Sequence, residues 1–398
     1  MIEITDTLAG DLITIFCAES SSDAAWIVDQ HAQATMWGLD TESTGTDPYV
    51  ESWRLKLFQF GNDTTAYVLP AQYKGHIRAI MADENVLWIA HNGSFDFRCL
   101  AMHLGKGKES LSTTCVGETT IMAHYYDPRP VKEGGIGNDL KSLCVALIDP
   151  DSGRWERELN EEFKSIRIPI AGERYKSGPR KGTQKYRKAK LSEGWNLIDQ
   201  FNLRYLAYAA IDPVLAYRLW NKLIGWQPQY RALYLRDIKD QWLLDHLIRR
   251  GLPVDVPYTT TLDREYTQTI QRMERRAARL YGCQNIGSNQ QVAATLERLG
   301  AKLRKRTPTG KWETSDTTLR SIAEKHTGTE IQNFIHCILL ARQCAKRRAS
   351  YTSAILNRLD SDQRIHPSIK LLGARTARMS VGSPPLQQLP TKDREADE

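Results

Sequence analysis

The chain has 398 residues, 41% hydrophobic and 25% charged, with a formal net charge of +7. This is ordinary globular composition, with room for two domains or a little more, and its mild positive excess permits a polyanionic partner without demanding one. No apolar run is long enough to cross a bilayer, and an N-terminus carrying Glu3 and Asp6 lacks the basic region of a secretory signal, so a cytoplasmic protein with no membrane partner is expected.

Seven cysteines, an odd number without a C-x-x-C pair, argue against both a disulfide framework and a zinc site. Along the chain, Asp11–Phe16, Met36–Asp40, Leu55–Phe60, Thr65–Leu69 and Val86–Ala90 are short and rich in strand formers. Between them Ser22–Met36, Ala71–Ala82 and Ser94–Leu104 carry helical spacing. The order predicts a mixed α/β domain, a central sheet covered by helices. Phe163–Lys190 is crowded with Lys and Arg and poor in apolar periodicity, which predicts a solvated, partly mobile insertion, with phosphate contact as the alternative.

From Gln227 the texture changes to long helices. Tyr230–Arg250 stops at Gly251, Tyr258–Tyr281 follows, and Ser288 opens a third helix with an S-x-x-Q capping pattern. A hairpin-like Lys302–Trp312, a helix starting at Thr314-Ser315-Asp316 and the stretch Ile331–Leu359 complete a helical domain. The boundary is expected near Gly225–Gln229.

Three short patterns carry candidate chemistry. Met36–Gly45 (MWGLDTESTG) is a strand ending in Asp40 and Glu42, which at that spacing project to one face while Leu39 and Thr41 take the other. Alone, it reads as a strand entering a solvated turn. His91–Asp96 (HNGSFD) follows a strand and enters a helix, with Asn92 and Asp96 four apart on one face. Alone, it reads as an Asn-Gly turn with an aspartate at the helix start. Tyr208 and Asp212 are again four apart on a helix, and Pro213 predicts a bend at Asp212. Four carboxylates converging without cationic partners repel one another, so a divalent cation is the natural resolution, and oxygen-only ligation favours Mg²⁺ or Mn²⁺.

In this order D-x-E, N-x-x-F-D and Y-x-x-x-D resemble the three exonuclease motifs of the DEDDy 3′-to-5′ exonucleases, in the form seen in the proofreading domain of family A DNA polymerases, the DNA polymerase I type. The resemblance implies an RNase H-like α/β fold and hydrolysis with two Mg²⁺ per site, Mn²⁺ able to substitute. It implies that Asp40 bridges both metals, that Glu42 and Asp212 complete the first site, and that Asp96 holds the second through water. Tyr208 would orient the attacking water, and Asn92, with Ser43 and Phe95, would support the 3′ nucleotide. Thr46 stands where the family usually has an apolar residue against the 3′ base, so the grip on a frayed end is expected to differ.

The resemblance extends through the helical half. Arg250–Asp255 (RGLPVD) resembles the family's thumb entrance, Asn285–Gln291 its thumb tip, Thr307–Ser315 its T-x-x-G-x-x-x-T pattern, and Ala341–Lys346 with Tyr351 the helix preceding the palm. It implies a duplex clamp in which Ser288, Asn289, Arg304, Lys305, Arg306, Lys311, Arg342 and Lys346 meet phosphates. Arg375–Pro390 resembles the palm-opening signature, which implies that Arg378, Gln387 and Gln388 lie near the primer terminus. The expected organisation is an exonuclease domain at 1–226 with its basic insertion, a helical thumb-like domain at 227–368 and the start of a palm at 369–398. No polymerase metal motif follows before Glu398, so the chain reads as the front portion of a compact enzyme of the bacteriophage kind, acting in a host cytoplasm. Single-stranded 3′ ends and primer-template DNA are the expected partners, with a separate palm-and-fingers polypeptide as a further one. The alternatives are a free-standing exonuclease of this class acting on DNA or RNA, and a catalytically silent DNA-binding subunit.

Overall fold

A computed structural model describes residues 1–105, 117–225 and 228–389. Parts of the expected boundary at Gly225–Gln229 and of the signature ending at Pro390 lie outside them. The described residues divide into two compact units, one within Met1–Gly251 with Ile369–Ser380, the other Leu252–Ser368 with Val381 to Leu389.

In the first unit the strands are β1 (Ile2–Leu8), β2 (Asp11–Cys17), β3 (Met36–Ser43), β4 (Leu55–Gly61), β5 (Thr65–Pro70), β6 (Leu87–Ala90) and β7 (Gly117–Glu118). They form one sheet in the order β1-β2-β5-β4-β3-β6-β7. Strand β3 is antiparallel to β4 and parallel to β6. The helices are α1 (Ser21–His31), α2 (Lys74–Met81), α3 (Ser94–Leu104), α4 (Thr119–Tyr126), α5 (Leu140–Leu147), α6 (Arg154–Ser165), α7 (Leu191–Leu197), α8 (Leu203–Ile224) and α9 (Arg231–Arg250).

Strand alternation separates two apolar cores, one on each face of the sheet. Leu57, Val68 and Ile89 pack with α4, α5, α6 and α8 through residues such as Ile121, Leu143, Leu159 and Leu215. Trp37, Leu39, Phe58, Phe60 and Trp88 pack on the other face with Ile27, Ile77 and Phe97 of α1, α2 and α3. A mixed sheet with helices on both faces is the architecture expected. Strand β1 was not anticipated: its alternating Ile2-Glu3-Ile4-Thr5 pattern pairs with all of β2 across the Ala9-Gly10 turn. The basic run is ordered as a hairpin of β8 (Arg167–Arg174) and β9 (Gln184–Lys188), not an irregular insertion. Its period-2 cue is the isolated Ile168 and Ile170, too short to stand out among so many charges.

The helical stretch Tyr230–Arg250, which the change of texture assigned to the second half, groups as α9 with the first unit. The Tyr234 hydroxyl accepts the Glu118 N–H at 2.9 Å, and buried Asp245 pairs with both Arg98 and Arg249.

The second unit contains the two-residue strand β10 (Leu252–Pro253), then α10 (Val256–Tyr281), α11 (Asn289–Arg298), α12 (Asp316–Lys325), α13 (Glu330–Arg347), a π-helical turn at Arg348–Thr352, α14 (Ser353–Leu356) and β11 (Arg364–Ile365), which pairs with β10. Its core of Met273, Ala277, Val292, Leu296, Leu319, Phe334 and Ile338 is continuous across α10 to α13.

Candidate active site

Strand β3 delivers the first pair. Strand β6 pairs with β3 only from Met36 to Gly38 and ends at Ala90, so beyond that level β3 has a ladder neighbour on the β4 side alone. Asp40 and Glu42 share the face of Gly38, which looks onto α8. A Cβ at Gly38 would stand 2.0 Å from the Pro213 carbonyl oxygen, so only glycine lets the helix backbone come this close. Helix α8 runs from Leu203 to Ile224 with Pro213 inside it, so Asp212 stays within a continuous helix.

Asp96 comes from the opposite face, in the first turn of α3. Its Oδ1 accepts a 2.7 Å hydrogen bond from Thr41, the residue between the pair. Asn92 does not share a helical face with it. Helix α3 starts at Ser94, and Asn92 sits before it at φ 66°, exposed, in a turn whose Asn92 and Gly93 N–H groups donate to buried Glu118. Ser43 bonds the Gly45 carbonyl, and Phe95 is half-buried against the second core.

Electrostatics tie these groups together. Burial, then Glu42, raises Asp40 well above the usual carboxylate range, against the pull of Lys141. Burial pushes Glu42 up to about 8, with Lys141 and Lys56 opposing and Asp96 adding to the rise. Asp96 is raised by burial and by Asp40, and its Thr41 bond opposes the shift. Burial and the two β3 carboxylates raise the Tyr208 phenol, which therefore stays protonated at neutral pH.

The expectation that the carboxylates meet no cation is corrected by Lys141. Its ammonium is hydrogen-bonded to Asp212 Oδ1 and lies 4.8 Å from the centre of the Tyr208 ring. Burial lowers it to about 8 against the attraction of Asp40. It sits in the first turn of α5, capped by Asp139 through the Ser142 N–H, where a helix dipole disfavours a cation and an acidic partner must compensate. The loop before it is fixed by His91, whose Nε2 lies 2.9 Å from the Asn138 carbonyl oxygen. Sequence reasoning missed both Lys141 and Glu118. The D-x-x-S cap marks the start of α5, but no spacing links Lys141 to Asp212.

Among the described residues no group of three or more His, Cys, Asp and Glu side chains is arranged to hold a metal ion, and Asp212 is hydrogen-bonded to Lys141. The donor set nonetheless fits a hard divalent cation: oxygen ligands only, buried, mutually repelling, and opposed by the Lys141 and Lys56 ammoniums. A cavity of about 420 Å³ opens beside the turn, lined by His91, Asn92, Glu118, Asn138 and Asp139 among others.

In the helical unit the candidate DNA contacts divide. Ser288 caps α11. The Asn289 side-chain oxygen accepts from Thr314 and from Arg342, and Arg342 also bonds the Thr314 carbonyl and Asp316. Arg306 stacks on Trp312 with its guanidinium carbon 3.8 Å from the ring centre. Arg304, Lys305, Lys311 and Lys346 are exposed. The Gln387 side chain accepts the Val381 N–H, and the Gln388 carbonyl accepts from Tyr351. Arg378, exposed, falls in the segment grouped with the first unit.

Comparison with known proteins agrees with this architecture. A family described as 3′-5′ exonuclease matches residues 15–150, and one described as DNA polymerase family A matches residues 256–398. The DNA polymerase of Mycobacterium phage L5 is 30% identical over 99% of this chain, and that of Mycobacterium phage D29 is 29% identical. DNA polymerase I of Rhizobium leguminosarum is 27% identical over 80% of the chain. The chain spans 62% of the length of each phage relative. Among solved structures, the POL domain of Pol1 from M. smegmatis, in complex with DNA primer-template and dNTP, superposes with a TM-score of 0.60 at 19% identity, covering 96% of this chain and 56% of that one; this likeness bears on fold. The chain is thus similar to the family A DNA polymerases over residues 256–398 and to the 3′-5′ exonuclease family over residues 15–150.

Proposed function

We propose that the first unit hydrolyses 3′-terminal phosphodiesters of single-stranded DNA as a proofreading exonuclease, and that the helical unit grips primer-template duplex. What supports the reading is the electrostatic coupling of Asp40, Glu42, Asp96 and Tyr208, with Asp212 joined to them through Lys141, near the point where β3 loses one neighbour. Asp40, Glu42, Asp96 and Asp212 would hold Mg²⁺, two ions per site with Mn²⁺ as substitute. The bound ions supply charge stabilisation for the phosphodiester and a lowered pKa for water.

The remaining chemistry belongs to the chain. The protonated Tyr208 hydroxyl can donate to and orient a water molecule. Thr41 fixes Asp96, and Glu118 fixes the turn that carries Asn92. The cavity beside Asn92 has a volume of the size that takes a small ligand. Lys141 offsets part of the carboxylate repulsion, and its ammonium would have to release Asp212 for that carboxylate to hold a metal ion. The exposed Arg304, Lys305, Lys311 and Lys346 support the duplex-binding role, since phosphate contacts favour solvent-facing cations.

The test is degradation of a 5′-labelled oligodeoxynucleotide with Mg²⁺. Loss of nucleotides from the 3′ end, abolished by chelation and by Asp40→Ala while DNA binding persists, is the expected result. Equal degradation by the variant refutes the reading.

A further inference from the structure

The β8–β9 hairpin carries the largest charge surplus of any segment of its length in the sequence. Between Lys164 and Lys190 there are ten Lys and Arg residues against the single Glu173, a surplus of nine in 27 residues. The entire chain carries +7, so everything outside this segment is slightly acidic. Lys164, Lys185 and Arg187 are paired with Glu161, Glu173 and Glu193. Lys176, Arg180, Lys181 and Lys188 are exposed and form no ion pair among the described residues. Two aromatic rings lie among them: Tyr175, with the Arg180 and Lys185 charges each 6.0 Å from its ring centre, and Tyr186, 53% exposed.

A surface this unbalanced repels itself, and three ion pairs compensate only part of its charge, so it is built for a polyanion. Cations interleaved with exposed aromatic faces match the backbone and unstacked bases of a single strand.

The hairpin is ordered and rooted at the candidate site. Its tip closes through the Tyr175 N–H to the Thr183 carbonyl and the Gly182 N–H to the Tyr175 carbonyl. Its base joins α6 to α7, where Phe163 packs edge-on against Trp195 with ring centres 4.9 Å apart. Trp195 in turn lies 5.6 Å from the ring of Tyr208, and Lys56 donates to the Trp195 carbonyl at 2.7 Å. From that root, strands of this length reach roughly 25 Å.

We infer that the hairpin is a binding arm for single-stranded DNA, holding the phosphates upstream of the 3′ end that enters the site. The inference rests on the exonuclease reading for the choice of strand, and its test is one of binding, not hydrolysis. The full chain is titrated with oligothymidylates of 4 and 16 nucleotides and with a 16-base-pair duplex at several salt concentrations, alongside a Lys176→Ser/Arg180→Ser/Lys181→Ser variant and a Lys176→Arg/Lys181→Arg control. All three altered positions are solvent-exposed near the tip, and an unchanged melting temperature verifies folding.

The expected result is that affinity rises with strand length in the parent and in the arginine control. The serine variant loses most of that gain, and its salt slope on the 16-mer flattens by about 2, some 0.7 for each phosphate no longer neutralised. An unchanged length dependence and slope overturn the inference. A loss confined to duplex DNA overturns it equally and moves the hairpin to the other substrate. Failure of the exonuclease reading looks different: the binding results stand and no nucleotide is released.

Discussion

Glu42 should cost the metal-free protein stability that an uncharged isostere recovers. Burial raises its carboxyl from 4.5 to about 8, so below pH 4.5 it is protonated in both folded and unfolded chains and costs nothing. As pH rises through this interval the unfolded chain releases the proton while the folded one keeps it, and stability is lost at about 1.4 kcal/mol per pH unit. By pH 7 the deficit is about 3 kcal/mol. Glu42→Gln keeps the shape and removes the charge. In chelator, its melting temperature should match the parent near pH 4.5 and exceed it by roughly 5–10 °C at pH 7. Saturating Mg²⁺ should close that gap by stabilising the parent alone, and the variant should lose exonuclease activity. A variant no more stable than the parent at pH 7 in chelator refutes the reasoning.

Lys141→Met removes the ammonium that engages Asp212, so Mg²⁺ should bind about tenfold more tightly by calorimetry, about 1.4 kcal/mol, while the chelated protein melts lower. Gly38→Ala forces a methyl group against the Pro213 carbonyl and should destabilise the first unit by about 3 kcal/mol or more in denaturant unfolding. Arg342→Ala should lower the melting temperature of the helical unit, by about 1–2 kcal/mol in stability, and leave the salt slope of duplex binding nearly unchanged, because its guanidinium serves Asn289, Thr314 and Asp316. Lys346→Ala, exposed, should do the reverse, flattening that slope by about 0.9 at constant melting temperature.

Legibility followed the range of the interaction. The Asp40–Glu42 pair, the Tyr208–Asp212 pair and the strands that form the centre of the sheet were readable because each rests on a local period of two or four residues. The helices of the second unit were readable through caps such as Ser288 and Ser315, whose side chains accept from the third residue onward. Lys141 and Glu118 were not, since their partners lie on other elements and no spacing encodes them. Asn92 was misplaced because its left-handed φ starts the helix two residues later than the pattern suggests. Arg342 illustrates the converse: a cation in a basic stretch looks available until its acceptors fold around it.

Where β3 meets α8, main chain rests on main chain, with no side chain between Gly38 and the Pro213 carbonyl. The spacing of Asp40 and Asp212 is therefore set by a contact that substitutions among the apolar residues around it cannot lengthen by a methylene. Large neighbours such as Leu57, Val214 and Leu215 can exchange size and shape with one another while that gauge stays fixed. Sequence drift can thus reshape the surrounding core and leave the distance between the first and last carboxylates as it was.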